Sequence, residues 1–170
     1  MTGRLSALLA GGDFAAVFLW PQPRSAVPPE AAPSAPPEWS EARPAPAADA
    51  LEVVLERKGD GHFYATAEVN GRPIRFLVDT GASAIALTAD DARALGFGWT
   101  PAELAVVGRG ASGEVTGKIV ELHHVRLGGK EAWNMRAAII PEGLQVSLLG
   151  QNFLSGIGAV RIAGDRMILR

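Results

Sequence analysis

From Leu51 to Arg170 the chain runs as short apolar stretches, each cut off within a few residues by a turn-forming glycine, asparagine or aspartate. All 17 glycines that follow the N-terminal segment fall in this stretch, which leaves no room for long helices. Strands of about 5–6 residues can cross a small core between such turns, so the pattern predicts a mainly β domain. Strands are expected over Leu51 to Arg57, His62 to Val69 and Arg72 to Val78, the last two joined at Asn70-Gly71, a dipeptide that favours tight hairpins. Further strands are expected over Ile85 to Thr88, Glu103 to Val107, Glu114 to Val120, Leu122 to Leu127, Ala132 to Ile140, Val160 to Ala163 and Met167 to Leu169. One short helix is predicted over Ala89 to Leu95, with Asp90 and Asp91 in its first turn and Gly96 ending it.

The preceding 50 residues have a different character. Nine of the twelve prolines lie between Pro21 and Pro46, mixed with alanine, which predicts an extended linker over residues 21–50. Residues 1–20 hold an apolar run, Leu5 to Trp20, broken by Gly11, Gly12 and Asp13 and preceded by Arg4. It reads as a degenerate membrane anchor or signal-like segment, or else as a tail. A tether of this kind predicts a domain held at a bacterial inner membrane on the periplasmic side; without it, the domain would be cytoplasmic. The remaining 51–170 are enough for one folded domain.

Charge and composition remove several function classes. Beyond residue 50 there are 13 Lys and Arg against 13 Asp and Glu, so nothing favours nucleic acid. Cysteine is absent, which excludes thiol nucleophiles, disulfide frameworks and thiolate metal sites. His123 and His124 are adjacent in an expected strand and so face opposite sides; with His62 as the only other histidine, no metal site is expected. No serine stands in a nucleophile-elbow context. Phe97, Trp99 and Trp133 are expected in the core or in pocket walls.

The chemistry concentrates in Phe76-Leu77-Val78-Asp79-Thr80-Gly81-Ala82-Ser83, an apolar strand that delivers an aspartate into a tight turn. A carboxylate at the end of a core strand is held rigidly. Thr80 brings a short hydroxyl, Gly81 permits a close approach that a side chain would block, and Ser83 can donate to the carboxylate. By itself such a stretch is equally an ordinary turn. Two further features follow at suitable separations. One is the glycine-rich Gly108-Arg109-Gly110-Ala111-Ser112-Gly113, flanked by strands and readable as a plain hairpin or as a mobile flap. The other is Leu148-Leu149-Gly150, running into Gln151-Asn152-Phe153-Leu154, an apolar strand that enters a short helical turn.

Together these motifs resemble the retropepsin family of aspartic proteases, and more closely its bacterial, single-lobed members with an N-terminal membrane segment. The likeness spans roughly Leu51 to Arg170. It implies a closed, mainly antiparallel, barrel-like acid-protease fold with one or two short helices, active as a homodimer without cofactor or metal. It further implies that Asp79 is catalytic, that Thr80 interlocks the two active-site loops, that Gly81, Ala82 and Ser83 support the carboxylate, and that Gly108 to Gly113 form the flap tip. Viral relatives usually carry arginine after the second-motif glycine; Gln151 stands here instead, so their supporting ion pair is not expected.

Asp79 is the only aspartate followed by Thr or Ser and then Gly. Metal-free peptide hydrolysis needs a base to activate water and an acid for the carbonyl oxygen, and two neighbouring carboxyl groups provide both by sharing one proton. One such group per chain therefore predicts a symmetric dimer acting on an extended protein or peptide segment. A catalytically inactive binding or scaffolding module on the same fold is the alternative that the residues leave open.

Overall fold

The computed structural model describes residues 52–110 and 113–170. The anchor-like segment and linker expected over 1–50 lie outside the described residues, as do Leu51 and the expected flap residues Ala111 and Ser112.

Among the described residues there are ten strands and two short helices: β1 (Val53–Glu56), β2 (Tyr64–Val69), β3 (Arg72–Val78), β4 (Ile85–Thr88), α1 (Ala89–Ala94), β5 (Ala105–Gly110), β6 (Gly113–Leu127), β7 (Lys130–Ile140), β8 (Ser147–Leu149), α2 (Gln151–Leu154), β9 (Val160–Ala163) and β10 (Arg166–Leu169). Six strands pair in the order β2-β3-β8-β4-β7-β6, and β6 returns to β2 through Glu68↔Arg126 and Val69↔Val125. The ring therefore closes, and closure removes the open edges that a flat sheet would leave. β5 hangs on β6 outside the ring, while β1, β10 and β9 form a separate three-stranded sheet.

Local sequence explains the elements. In β3, Ile74, Phe76 and Val78 are buried at a spacing of two while Pro73 and Arg75 are exposed and Leu77 is half-buried, the alternation a half-buried strand requires. Asn70 and Gly71 carry φ values of 48° and 82°, consecutive left-handed residues that make a tight turn compatible with strand twist. Thr88 caps α1 by accepting the Asp91 N–H at 3.2 Å, and Gly96 leaves the helix at φ 86°. The interior holds Phe76, Ile85, Leu87, Leu122, Ile139, Leu149 and Phe153, all fully buried. Each contributes about 1.5–3 kcal/mol through burial.

Three expectations are corrected. Glu114 to Val120 and Leu122 to Leu127 are one continuous strand, because Glu121 points outward without breaking the ladder to Arg136. Asn134, between the partners of Leu122 and His124, takes φ 52°, and the buried positions change parity from Leu122 to Val125 at that level. Residues Pro101–Glu103 form a 3-10 turn in place of the start of a strand, fixed by a capping box between Thr100 and Glu103. Trp133 is 63% exposed on the barrel surface, stacked on His124 with ring centroids 4.0 Å apart, whereas Phe97 and Trp99 do pack against the core. Among the described residues no helix is long and apolar enough to cross a membrane.

Candidate active site

Most of the barrel is antiparallel, but two parallel pairs interrupt it, β3 with β8 and β4 with β7. In the first, Val78 lies opposite Leu149, so both strands end at the same level and release Asp79 and Gly150 side by side. The Asp79 N–H donates to the Leu149 carbonyl at 3.1 Å, extending the ladder by one rung beyond β3. The aspartate is thereby held by its own backbone at the barrel mouth, where it is half-buried.

The turn that follows closes on that aspartate. The Gly81 N–H donates to Asp79 Oδ1 at 2.8 Å, and the Ala82 N–H reaches the Asp79 carbonyl at 3.3 Å. A Cβ on Gly81 would sit 3.2 Å from Asp79 Oδ1, so glycine preserves the approach of N–H to carboxylate. Thr80 is exposed at the outer corner of the turn.

The second motif locks the turn from below. Gly150 is buried against the Ala84 backbone, and a side chain there would lie 2.6 Å from the Ala84 carbonyl carbon and 2.8 Å from the Ala82 carbonyl oxygen. That closeness lets the start of α2 reach the loop: the Gln151 N–H donates to the Ala82 carbonyl at 2.8 Å and the Asn152 N–H to the Ser83 carbonyl at 3.1 Å. Asn152 also accepts the Ile85 N–H and donates to the Arg136 carbonyl, tying β4 and β7 to the same helix. The Gln151 side chain donates to the Thr80 carbonyl at 2.9 Å. Behind β8, the fully buried Ser147 hydroxyl accepts the Thr88 N–H and donates to Asp91, fastening α1 to the strand that bears Leu148 and Leu149.

The structure thus brings Asp79, Thr80, Gly81, Ala82 and Ser83 together with Leu148, Leu149 and Gly150. A shallow cleft beside the loop is lined by Gly81, Ser83, Gln151, Asn152 and Ser155, none of them charged. Sequence reasoning passed over the supporting roles of Ser147, Asp91, Gln151 and Asn152. Only Gln151 and Asn152 carried a local signal, as the polar pair in an otherwise apolar Leu-Leu-Gly-x-x-Phe-Leu run.

The expected flap is a two-stranded arm. Gly108, Arg109 and Gly110 end β5 and Gly113 starts β6, with Gly110 directly opposite Gly113. Its lower part, Val107, Val115 and Ile119, packs with Leu77 against Ala82, Ala86, Ala138, Ile140 and Leu148. The arm and the aspartate loop therefore share one small apolar wall. Gly117 is buried where the arm crosses β7; a side chain there would run into the Ile139 carbonyl and lie 2.9 Å from Ile140 Cδ1. The root is pinned by Lys118, which donates to Glu103 at 2.5 Å and to the Gly98 carbonyl at 3.1 Å. Lys118 holds the Glu103 carboxyl below the ordinary glutamate range, helped by the Thr100 N–H and hydroxyl.

Chemically, one carboxylate with a fixed orientation sits at the end of a cleft whose five lining residues include no acid. It can act as a base or an acid toward a bound water, but not as both in one step.

Comparison with known proteins bears on this geometry. Residues 65–156 match the family model described as "gag-polyprotein putative aspartyl protease". An uncharacterized Rickettsia prowazekii protein is 40% identical over 118 residues, covering 69% of this chain and 51% of that protein. An uncharacterized Sinorhizobium protein encoded in the cobV 5' region is 38% identical over 120 residues, covering 70% of this chain and 52% of that protein. The chain spans about half the length of the curated relatives it matches. Among solved structures, a retropepsin-like aspartic protease from Rickettsia conorii superposes with a TM-score of 0.58 at 38% identity, covering 69% of this chain and 88% of that one.

Proposed function

The chain belongs to the retropepsin-like aspartic protease family, and from that premise we propose that it is an aspartic endopeptidase assembled from two copies. One observation carries the proposal: Asp79 is fixed at the barrel mouth by the Gly81 N–H and by the rung to Leu149, with no acid among the residues lining its cleft. A twofold axis through the Asp79-Thr80-Gly81 turn would supply the missing group from a second chain.

In that pair, repulsion between the carboxylates keeps one protonated while the other is ionised. The ionised Asp79 takes a proton from water as the oxygen attacks the peptide carbonyl, and the protonated one gives its proton to the carbonyl oxygen. When the resulting diol collapses, the first carboxyl passes its proton to the departing nitrogen as the C–N bond breaks, and the second takes one back from a diol hydroxyl. Thr80, exposed at the corner of the turn, would interlock the two loops. An extended substrate would lie between the β5–β6 arm and the loop, its backbone bonding to the edges and its apolar side chains against the wall around Ala82 and Leu148. The segments before residue 51 would tether this domain to a membrane, on the periplasmic face of the bacterial inner membrane.

The test is Asp79→Asn in the full chain, assayed on a peptide library at mildly acidic pH with sedimentation and circular dichroism in parallel. Cleavage by the parent chain that vanishes in the variant, with assembly and spectrum unchanged, is the expected result. Undiminished cleavage by Asp79→Asn would overturn the assignment.

A further inference from the structure

We propose that Gln151 is a positioning residue for the Asp79 carboxylate, acting through the single peptide unit that joins Thr80 to Gly81; this rests on the catalytic reading above. The Gln151 Nε2 donates to the Thr80 carbonyl at 2.9 Å, and the N–H of the same peptide unit, that of Gly81, donates to Asp79 Oδ1 at 2.8 Å. A peptide unit is planar and rigid, so fixing its oxygen fixes the direction of its N–H. A carbonyl that accepts a hydrogen bond also makes its N–H a stronger donor, because bonds in a chain polarise one another. The three groups form one line from side-chain amide to catalytic carboxylate.

Two features make the line firm at its far end. The Gln151 backbone is anchored by its N–H on the Ala82 carbonyl, and the next residue, Asn152, is held to Ser83, Ile85 and Arg136. The side chain therefore spans from a fixed helix start to the outer corner of the turn. The donor is also neutral. A cation at this distance would favour ionisation of both carboxylates, whereas sharing one proton requires that one stay protonated. A primary amide orients the turn without imposing that bias.

Gln151 is exposed, so its replacement leaves no cavity and the variants should fold. The decisive comparison uses the full chain with Gln151→Met, which keeps length and removes the donor, and Gln151→Glu, which donates only when protonated. For Gln151→Met, kcat on a cleavable peptide should fall about tenfold at every pH with KM within about twofold of the parent. The Gly81 amide proton resonance should move upfield while the melting temperature holds. For Gln151→Glu, kcat relative to the parent should be highest in acid and fall as pH rises through about 4.3, where the carboxyl loses its donor. Parent-like kcat and an unmoved Gly81 resonance in Gln151→Met would overturn the inference. Loss of kcat without movement of that resonance would overturn it equally, since the effect would then bypass the peptide unit. The resonance needs no turnover, so a parent chain that fails to cleave peptides counts against the catalytic reading alone, and the Gly81 shift still decides the role of Gln151.

Discussion

The Lys118 ammonium, on the strand that leaves the flap-like arm, lies 2.5 Å from the Glu103 carboxylate on the turn that leads into it. Glu103 also accepts the Thr100 N–H at 2.7 Å, so one carboxylate joins both roots of the arm. The Lys118 hydrogen bond, followed by those from Thr100, lowers the Glu103 pKa. A carboxyl whose pKa is lower in the folded state contributes stability that is complete above its unfolded value and is lost as pH falls through its folded one.

The first prediction follows from that sign. Glu103→Gln, which mimics the protonated group, should be less stable than the parent near neutrality. The difference should close as pH falls below the ordinary glutamate value of 4.5. Urea unfolding of both proteins across this range measures it, with exchange of the β5 and β6 amides reporting whether the loss is confined to the arm. A difference that stays constant with pH would exclude the carboxylate as its source.

Gly150 and Gly143 separate two reasons for glycine. At Gly150 an added Cβ meets the Ala84 and Ala82 carbonyls, with no flexible atom to yield. Gly150→Ala should cost about 2–3 kcal/mol through overpacking and should separate α2 from the aspartate loop. Gly143 has φ 83° and nothing within 4 Å of a built Cβ, so Gly143→Ala should cost only the left-handed strain of about 1 kcal/mol. Denaturant melts rank the two, and equal costs would contradict the contact argument.

Local features were legible in the sequence, and long-range ones were not. The Asn70-Gly71 turn, the alternation of Ile74, Phe76 and Val78, and the cap and first turn of α1 all follow from residues within a few positions of one another. The capping box from Thr100 to Glu103 with Pro101 between was equally local; reading Glu103 as the start of a strand overlooked it. The parallel pairing of β3 with β8 joins residues 71 apart, as in Phe76↔Ser147, and no periodicity announces such a pairing. Asp91 read as an acid in the first turn of a helix, and nothing in the sequence linked it to Ser147, 56 residues away, which only the barrel brings beside it. Gln151 stood out in the sequence as a missing arginine, while its bond to the Thr80 carbonyl emerges only once Gly150 lets α2 abut the turn.

Ser147 carries a third prediction. Its hydroxyl is fully buried and bonded on both sides, accepting from Thr88 at 3.1 Å and donating to Asp91. Ser147→Ala leaves a half-buried N–H and a half-buried carboxylate without their partner, so it should cost about 1–3 kcal/mol. Because Asp91→Ala removes one of the same bonds, the double variant should be less destabilised than the sum of the singles by at least about 0.5 kcal/mol. Strict additivity in a double-mutant cycle would show that the two residues do not act together.

The last prediction concerns the number of chains in the active species. One protomer brings one Asp79, and the cleft beside it is lined by Gly81, Ser83, Gln151, Asn152 and Ser155, none of which can stand in for a second carboxyl group. A single carboxylate can remove a proton from water but has no partner to protonate the carbonyl oxygen under attack, so a lone protomer should be inactive. If protomers and dimers exchange, the rate should follow total protein linearly at high concentration. Below the dissociation constant it should approach the square of that concentration, as mass action requires. Mixing the parent with excess Asp79→Asn should then poison activity, because mixed dimers hold one asparagine at the shared proton. Linear dependence persisting where sedimentation shows only protomers, or immunity to the excess variant, would show that each chain completes its site alone and would remove the need for a twofold axis at Asp79.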